Sequence, residues 1–113
     1  MKIQQANTLN ENLSAELIGM GRQLARLRMA RRVTQSDAAI RAGISRRTAG
    51  AIESGSPSVS IGQTLRYLDA IASGLTLLDL LKGNDPSLIA LEIREKRVRA
   101  RALTENELKK LDF

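Results

Sequence analysis

A chain of 113 residues has room for one small domain with short appendages. Only 2% of its residues are aromatic, so the core must consist of aliphatic side chains, which favours packed helices over a sheet and predicts an all-α fold. Cysteine and histidine are both absent, which removes disulfides, thiolate and imidazole catalysis and the usual zinc ligands. We therefore expect no metal, no cofactor and no enzymatic activity. No apolar run approaches a membrane span and no signal peptide opens the chain, so a cytoplasmic protein without a membrane partner is expected.

The distribution of charge is more informative than the formal net charge of +6. Residues 21–50 contain eight arginines against a single acid, Asp37. This concentration is typical of a surface that binds a polyanion, although a solvated basic helix face gives the same pattern. The eight residues are Arg22, Arg26, Arg28, Arg31, Arg32, Arg41, Arg46 and Arg47.

The chain opens with a polar segment and continues into a helical pattern. Residues 1–13 show no sustained hydrophobic period, which predicts an N-terminal arm. From Ser14 apolar residues recur at spacings of three and four, which predicts a first helix that ends near Arg31. The residues that carry this period are Leu17, Met20, Leu24 and Leu27. The predicted globular domain spans residues 14–82.

Residues 32–55 predict two short helices joined by a sharp turn. Thr34 is placed to cap the first of them and Ser45 to cap the second, since a side-chain oxygen at this position accepts a hydrogen bond from a free backbone amide. Gly43 lies at the turn, where a left-handed backbone costs glycine little, and Ile44 follows it as a candidate plug between the helices. This succession is a helix-turn-helix signature.

The two helices are predicted over residues 35–42 and 46–54. Their 3.6-residue period directs small side chains inward, with Ile40 as a further candidate, and leaves the first turn of the second helix facing outward. The residues predicted to be buried are Ala38, Ala39, Ala49 and Ile52.

The order of these features resembles the Cro/CI-type (XRE) helix-turn-helix family: an arginine-rich first helix, TQ at the start of the second, AG-I-S at the turn and IE-G at the end of the third. The resemblance covers residues 17–81 and implies a lambda-repressor-like bundle of five helices. It also implies a structural ion pair between Glu53 and Arg28 of the first helix. Two positions depart from the family pattern: Ala49 replaces a larger β-branched residue, and Gly50 lies inside the third helix.

A helix-turn-helix motif presents its second helix to the major groove of DNA. Arg46 and Arg47 are the candidate base readers, because a guanidinium group matches O6 and N7 of guanine in a bidentate pair. The predicted base contacts are completed by Thr48 and Gly50. Gln35 is the candidate phosphate clamp. The other predicted contacts with the DNA backbone are Ser36, Ser45, Ser54 and Arg32.

Two further helices are expected beyond a turn-rich loop at residues 55–60, and Gly74 separates them. The fourth helix is marked by Ile61, Leu65, Leu68 and Ile71. The fifth is capped by Thr76 and marked by Leu75, Leu77, Leu78 and Leu81.

Residues 83–113 are predicted to be a C-terminal extension for dimerisation or partner binding. A helix is expected up to about Lys96, followed at residues 97–103 by apolar residues that alternate with arginines. Such alternation is typical of a strand, which would pair with the same strand of a second subunit, or else the segment is a flexible basic arm. Thr104 and Glu107 predict the capping box of a short terminal helix. The predicted partner or dimer contacts are Val98, Ala100, Ala102 and Phe113.

These features predict a sequence-specific regulator that binds double-stranded DNA and represses transcription. A module of this size buries too little surface to bind tightly alone, so a homodimer on a palindromic operator is expected. An alternative is left open, because the motif followed by a strand-like segment and an aromatic end is similar to the HipB-type antitoxins. That resemblance implies a protein that neutralises a toxin or other protein partner and regulates its own operon.

Overall fold

The computed structural model describes residues 9–83 and 85–111, in which all regular secondary structure is helical. The predicted all-α fold with a helix-turn-helix bundle is confirmed. The helices in chain order are α1 (Glu11–Ala30), α2 (Gln35–Ala42), α3 (Arg46–Ser54), α4 (Ile61–Ile71), α5 (Leu77–Lys82) and α6 (Pro86–Leu111).

The boundaries of α2, α3 and α5 follow from local capping, as the sequence predicts. Thr34 accepts a hydrogen bond from the amide three residues later at 3.1 Å, and Ser45 does the same at 3.0 Å. Thr76 caps α5 in a capping box. Gly43 ends α2 with φ of 69°, in the left-handed region that the predicted turn requires.

The core lies where α1 to α5 meet and consists largely of aliphatic side chains. In α2 and α4 the set of buried residues differs from the prediction. Ile40 is 76% exposed, because the small Ala38 and Ala39 already fill the inward side of the short α2. In α4 the predicted core residues Ile61 and Leu65 are exposed, whereas the buried residues are Thr64, Tyr67, Leu68 and Ile71.

Two glycines allow α1 and the end of α3 to touch through their backbones. A Cβ atom on Gly21 would lie 2.6 Å from the carbonyl oxygens of Ile52 and Glu53. A Cβ atom on Gly55, which has φ of 77°, would collide with the backbone of Ile18. No side chain larger than hydrogen fits at either position without a backbone shift, so these glycines fix α3 against α1.

The start of α1 differs from the prediction. The helix begins at Glu11 rather than at Ser14, because Asn10 accepts a hydrogen bond from the amide of Leu13 at 2.8 Å and caps it. Residues 11–13 of the predicted arm are therefore helical, and residues 1–8 lie outside the described residues.

The largest correction concerns α6. Residues 97–103 are helical, so the predicted intersubunit strand and the flexible arm are both wrong. Thr104 lies inside the same helix, where its hydroxyl donates to the carbonyl of Ala100 at 3.0 Å, so it does not cap a separate terminal helix with Glu107. Arginine and alanine both have high helix propensity, and this preference prevails because residues 9–83 and 85–111 form no sheet in which alternating side chains could be buried.

The first half of α6 packs on α1. Arg31 Nη2 lies 2.8 Å from Oδ1 of the buried Asp85, and Arg26 forms an ion pair with Glu95. Leu88 is buried in the core cluster. These contacts make the start of α6 part of the globular body, although the sequence places it in the extension.

Candidate nucleic-acid interface

The first turn of α3 carries two exposed arginines, Arg46 and Arg47. Their direction follows from the burial of Ala49 and Ile52, which lie on the opposite side of the same helix. The Ser45 cap fixes the start of the helix. Two guanidinium groups therefore project from the end of α3 that a helix-turn-helix motif presents to DNA.

The other predicted contacts on α3 occupy different surroundings. The hydroxyls of Ser45 and Thr48 lie 2.9 Å apart and share a hydrogen bond at the cap. At Gly50 an added Cβ atom would meet no heavy atom within 4 Å, so the helix surface there is open. The hydroxyl of Ser54 donates to the carbonyl of Ala51 at 3.1 Å, at the far end of the helix.

The start of α2 forms a second potential contact area. Amides in the first turn of a helix have no partner within that helix, and Thr34 accepts only that of Asp37. Gln35 and Ser36 are half-buried there, and Gln35 Nε2 donates to Glu53 Oε1 at 3.3 Å. The predicted clamp side chain is thus half-buried and hydrogen-bonded to Glu53 in the free protein.

Arg32 lies in the turn between α1 and α2 and has a strained backbone. Its φ of 57° makes it the only non-glycine residue with a positive φ among the described residues. Its amide donates to Met29 and that of Val33 to Arg28, which closes the end of α1. The side chain of Arg32 is exposed beside the start of α2.

Glu53 is the centre of a hydrogen-bond network that holds α3 in place. Arg28 donates from Nε at 2.7 Å and from Nη2 at 3.0 Å to the two carboxylate oxygens, so the structure brings this predicted pair together in a bidentate contact. A third donor of Arg28, Nη1, reaches the carbonyl of Val33 at 3.0 Å. Tyr67 donates to the same carboxylate. The network joins α1, α2, α3 and α4.

The ionisation of this network is set by competing effects. Burial opposes the charge on Glu53, but hydrogen bonds from Arg28 and Tyr67 outweigh it and hold the pKa of Glu53 below its usual value. The hydrogen bond with Glu53 raises the pKa of Arg28. Burial, and then the bond to Glu53, raise the pKa of Tyr67, so its hydroxyl stays protonated and continues to donate.

Three of the eight arginines that form the predicted basic surface serve the fold. Arg26, Arg28 and Arg31 are ion-paired with Glu95, Glu53 and Asp85 respectively. The predicted polyanion surface is correspondingly smaller. Its exposed members are Arg22, Arg32, Arg41, Arg46 and Arg47.

Sequence reasoning missed two residues that position the motif. Tyr67 is fully buried with its hydroxyl on Glu53, 14 residues away in sequence. Arg66 donates to the carbonyl of Ala42 at 3.0 Å and of Gly43 at 2.9 Å, and so satisfies the end of α2. The one available signal for Tyr67 was its rarity: it is the only tyrosine in the chain.

The predicted partner contacts lie on α6, where Val98, Ala100 and Ala102 are exposed. Phe113 lies outside the described residues. Among the described residues, no helix combines the length and the apolar composition that a bilayer crossing requires.

The helix-turn-helix domain family matches residues 20–81, which is more than half of the chain. The chain belongs to this family of DNA-binding regulators, and the matched region contains the motif and the Glu53 network. No curated protein and no solved structure matches the chain.

Proposed function

We propose that the protein is a sequence-specific regulator of the Cro/CI type, which binds double-stranded DNA as a homodimer at a palindromic operator and represses transcription. One observation carries the proposal. Arg46 and Arg47 stand exposed on the first turn of α3, while Arg26 and Arg28 of α1 and Arg31 at its end are neutralised by internal ion pairs. The arginines available to DNA thus include two at the position where a recognition helix reads bases.

The contacts divide into base readout and backbone positioning. Arg46 and Arg47 read guanine edges, and Thr48 and Gly50 line the same surface. At Gly50 the helix can approach the groove closely, since no side chain intervenes. The backbone contacts are assigned to the free amides at the start of α2 and to Gln35, Ser36, Ser45, Ser54 and Arg32.

The strain at Arg32 supports its assignment to this set. A left-handed backbone costs a residue with a Cβ atom about 1 kcal/mol, and such strain tends to persist at binding sites. Arg32 is exposed and lies three residues before the start of α2, where a phosphate would approach. The side chain of Arg32 offers a charge that a glycine in the same turn would not.

The proposal is tested by selecting bound sequences from random duplex DNA and measuring affinity for the selected operator and for random DNA at one salt concentration. Arg46→Ala and Arg47→Ala should each lower operator affinity by about 10-fold or more, and affinity for random DNA far less. Gln35→Ala should weaken both by a similar factor. Arg94→Ala, which removes an exposed base outside the motif and outside residues 96–104, is the matched control. Equal losses on operator and random DNA for the arginine variants would contradict the assignment.

A second candidate function is favoured by one observation. Val98 and Leu103 are exposed on the second half of α6, which gives a protein partner such as a toxin a surface to bind. This antitoxin function requires α6 to be accessible in the homodimer. The cross-linking experiment described next measures whether it is.

A further inference from the structure

One face of α6 packs on the body in its first half and continues, uncovered, into its second half. Leu88, Leu91, Glu95, Val98 and Ala102 follow one another at spacings of three, four, three and four, so they lie on a single side of the helix. Leu88 is buried, Leu91 is half-buried and Glu95 is ion-paired to α1. Val98 is 63% exposed and Ala102 is exposed as well. The second half of the helix therefore presents an apolar stripe without a cover among the described residues.

A second apolar surface, which no other part of residues 9–83 and 85–111 covers, lies along the first half of α1. A groove of about 590 Å³ opens between the first half of α1 and the end of α5. Its apolar lining comes from Leu9, Leu13, Leu17, Met20 and Leu81. Glu16 lines the same groove and is exposed. Both features suit a groove that receives an amphipathic helix with basic flanks.

The charges of the two surfaces are opposite. Residues 9–21 contain two acids, Glu11 and Glu16, and no base, whereas residues 96–104 contain four bases and no acid. On α6, Arg99 and Arg101 flank the stripe of Val98 and Ala102 on opposite sides, whereas Lys96 lies on the far face of the helix, as 100° per residue requires. Two copies of residues 96–104 packed in parallel would place bases against bases, which is unfavourable. Glu16, the one charged residue among the described lining of the groove, offers the complementary charge.

We propose that the two surfaces cover each other between two copies of the chain: residues 96–104 of α6 of one copy occupy the groove between α1 and α5 of the second. Val98 and Ala102 face the apolar lining, and the flanking bases lie beside Glu16. The exchange is reciprocal, because a two-fold dimer uses the same pair of surfaces twice. This inference rests on the proposed homodimer and names the surface that forms it.

The second half of α6 is long enough to reach a second copy of the chain. Residues 97–111 of α6 form a helical segment about 22 Å long at 1.5 Å per residue. An isolated helix of this length is only marginally stable in water, so packing against a second copy would also stabilise the segment.

Because the natural chain has no cysteine, single cysteines can be placed without background. Val98→Cys and Leu13→Cys are made in separate full-length chains, one carrying a mass tag, mixed, and treated with a short bismaleimide. The expected product is a covalent dimer that contains one chain of each kind. The same mixture with Asp69→Cys, an exposed site on α4, in place of Leu13→Cys is the matched control and should give little of that product.

Each other result overturns the proposal. Cross-linking of Val98→Cys with itself, without the mixed product, would show that α6 pairs with α6. The absence of any mixed product would show that α6 folds onto its own chain or stays accessible, as an antitoxin requires. Circular dichroism confirms that each variant is folded. Ala102→Cys with Met20→Cys provides a second pair in case the first perturbs the fold.

A charge reversal gives an independent measure. Glu16→Lys should raise the dissociation constant of the dimer about 10-fold, and Asp69→Lys, the same reversal on α4, no more than about twofold. Equal effects from the two variants would contradict docking at Glu16. Sequence selection from random DNA is run separately, so a selected operator together with failed cross-linking would leave the DNA-binding proposal standing and remove only the interface.

Discussion

The hydroxyl of Tyr67 donates its hydrogen to Oε2 of Glu53, the same oxygen that accepts Arg28 Nε at 2.7 Å. Tyr67 lies in α4, Arg28 in α1 and Glu53 at the end of α3, so a single carboxylate ties the proposed recognition helix to α1 and α4. The side chain of Glu53 is only 9% exposed. A buried carboxylate with several donors is costly to disturb, because any donor that is removed leaves part of its charge unsatisfied.

Tyr67→Phe removes one hydroxyl and leaves the ring in the core. We expect the free energy of unfolding to fall by about 2 kcal/mol, the usual range for a hydrogen bond to a charged group. Urea denaturation monitored by circular dichroism measures the change. Leu68→Met, a volume-conserving change at the neighbouring buried position, should cost less than about 1.5 kcal/mol. An unchanged stability in Tyr67→Phe would mean that the hydroxyl contributes nothing to the network.

Arg28→Ala and Glu53→Ala should each lower the free energy of unfolding by roughly 1 to 3 kcal/mol, since each strands the charge of its partner. The loss of unfolding free energy in the double variant should be clearly smaller than the sum of the two single losses, because the double variant leaves neither charge of the pair without a partner. A double-mutant cycle by urea denaturation gives the coupling energy. Strict additivity would show that the bidentate contact does not form in solution.

The pH dependence of stability follows from the lowered pKa of Glu53. Its folded pKa lies below the unfolded value of about 4.5, so its contribution is complete above that pH and is lost as the pH falls through the folded pKa. We expect thermal stability to decline progressively below about pH 4.5, and to decline less steeply in Glu53→Gln. Asp85, whose pKa is also lowered because bonds from Ser87 and Arg31 outweigh its burial, accounts for part of the remaining slope. Identical slopes in the two proteins would argue against a charged Glu53.

Gly50→Ala separates stability from DNA binding. An added methyl group meets nothing within 4 Å, so the free protein should gain about 0.5 to 1 kcal/mol from the higher helix propensity of alanine. If the helix approaches the groove closely there, operator affinity should nevertheless fall several-fold. Gly62→Ala in α4, where a Cβ atom also fits, is the matched control and should leave affinity unchanged. Unaltered affinity in Gly50→Ala would remove Gly50 from the proposed contact surface.

Leu88→Ala tests whether the start of α6 belongs to the body. Leu88 is 4% exposed within the core cluster, so truncation should cost about 2 to 4 kcal/mol. Ile89→Ala, at the exposed neighbouring position, should change stability by less than about 0.5 kcal/mol. Chemical denaturation compares the two. Similar small costs would show that α6 is an appendage to a bundle that is complete without it.

The local part of the fold could be predicted from the sequence. Thr34, Ser45, Thr76 and Gly43 act through neighbours within a few residues, so their roles follow from residue type and spacing alone. The period-2 alternation at residues 97–103 was misleading because alternation reports burial of one face of a sheet, and the part of the chain that the structure describes contains no sheet. Helix propensity was the better guide for a segment of arginine and alanine.

The contacts between distant residues could not be predicted in the same way. Arg26 and Glu95 are 69 residues apart, and Arg31 and Asp85 are 54 apart, so nothing in the local pattern distinguishes these arginines from their exposed neighbours. The pairing of Glu53 with Arg28 was expected only because of the family resemblance. No family resemblance indicated a role for Arg66, and its contact with the end of α2 depends on the packing of α4 against α2.

The contact at Gly21 has a consequence for attempts to redesign this protein. Replacing helical glycines by alanine is a common route to higher stability, and Gly19, Gly50 and Gly62 all have room for a methyl group. At Gly21 the same change would push α3 away from α1, because the carbonyl oxygens it meets belong to backbone that cannot rotate aside. Gly21 is therefore a site where one added carbon atom would shift α3 by pressing on the backbone at its C-terminal end. Such a change offers a way to alter binding preference from outside the proposed DNA-contacting surface.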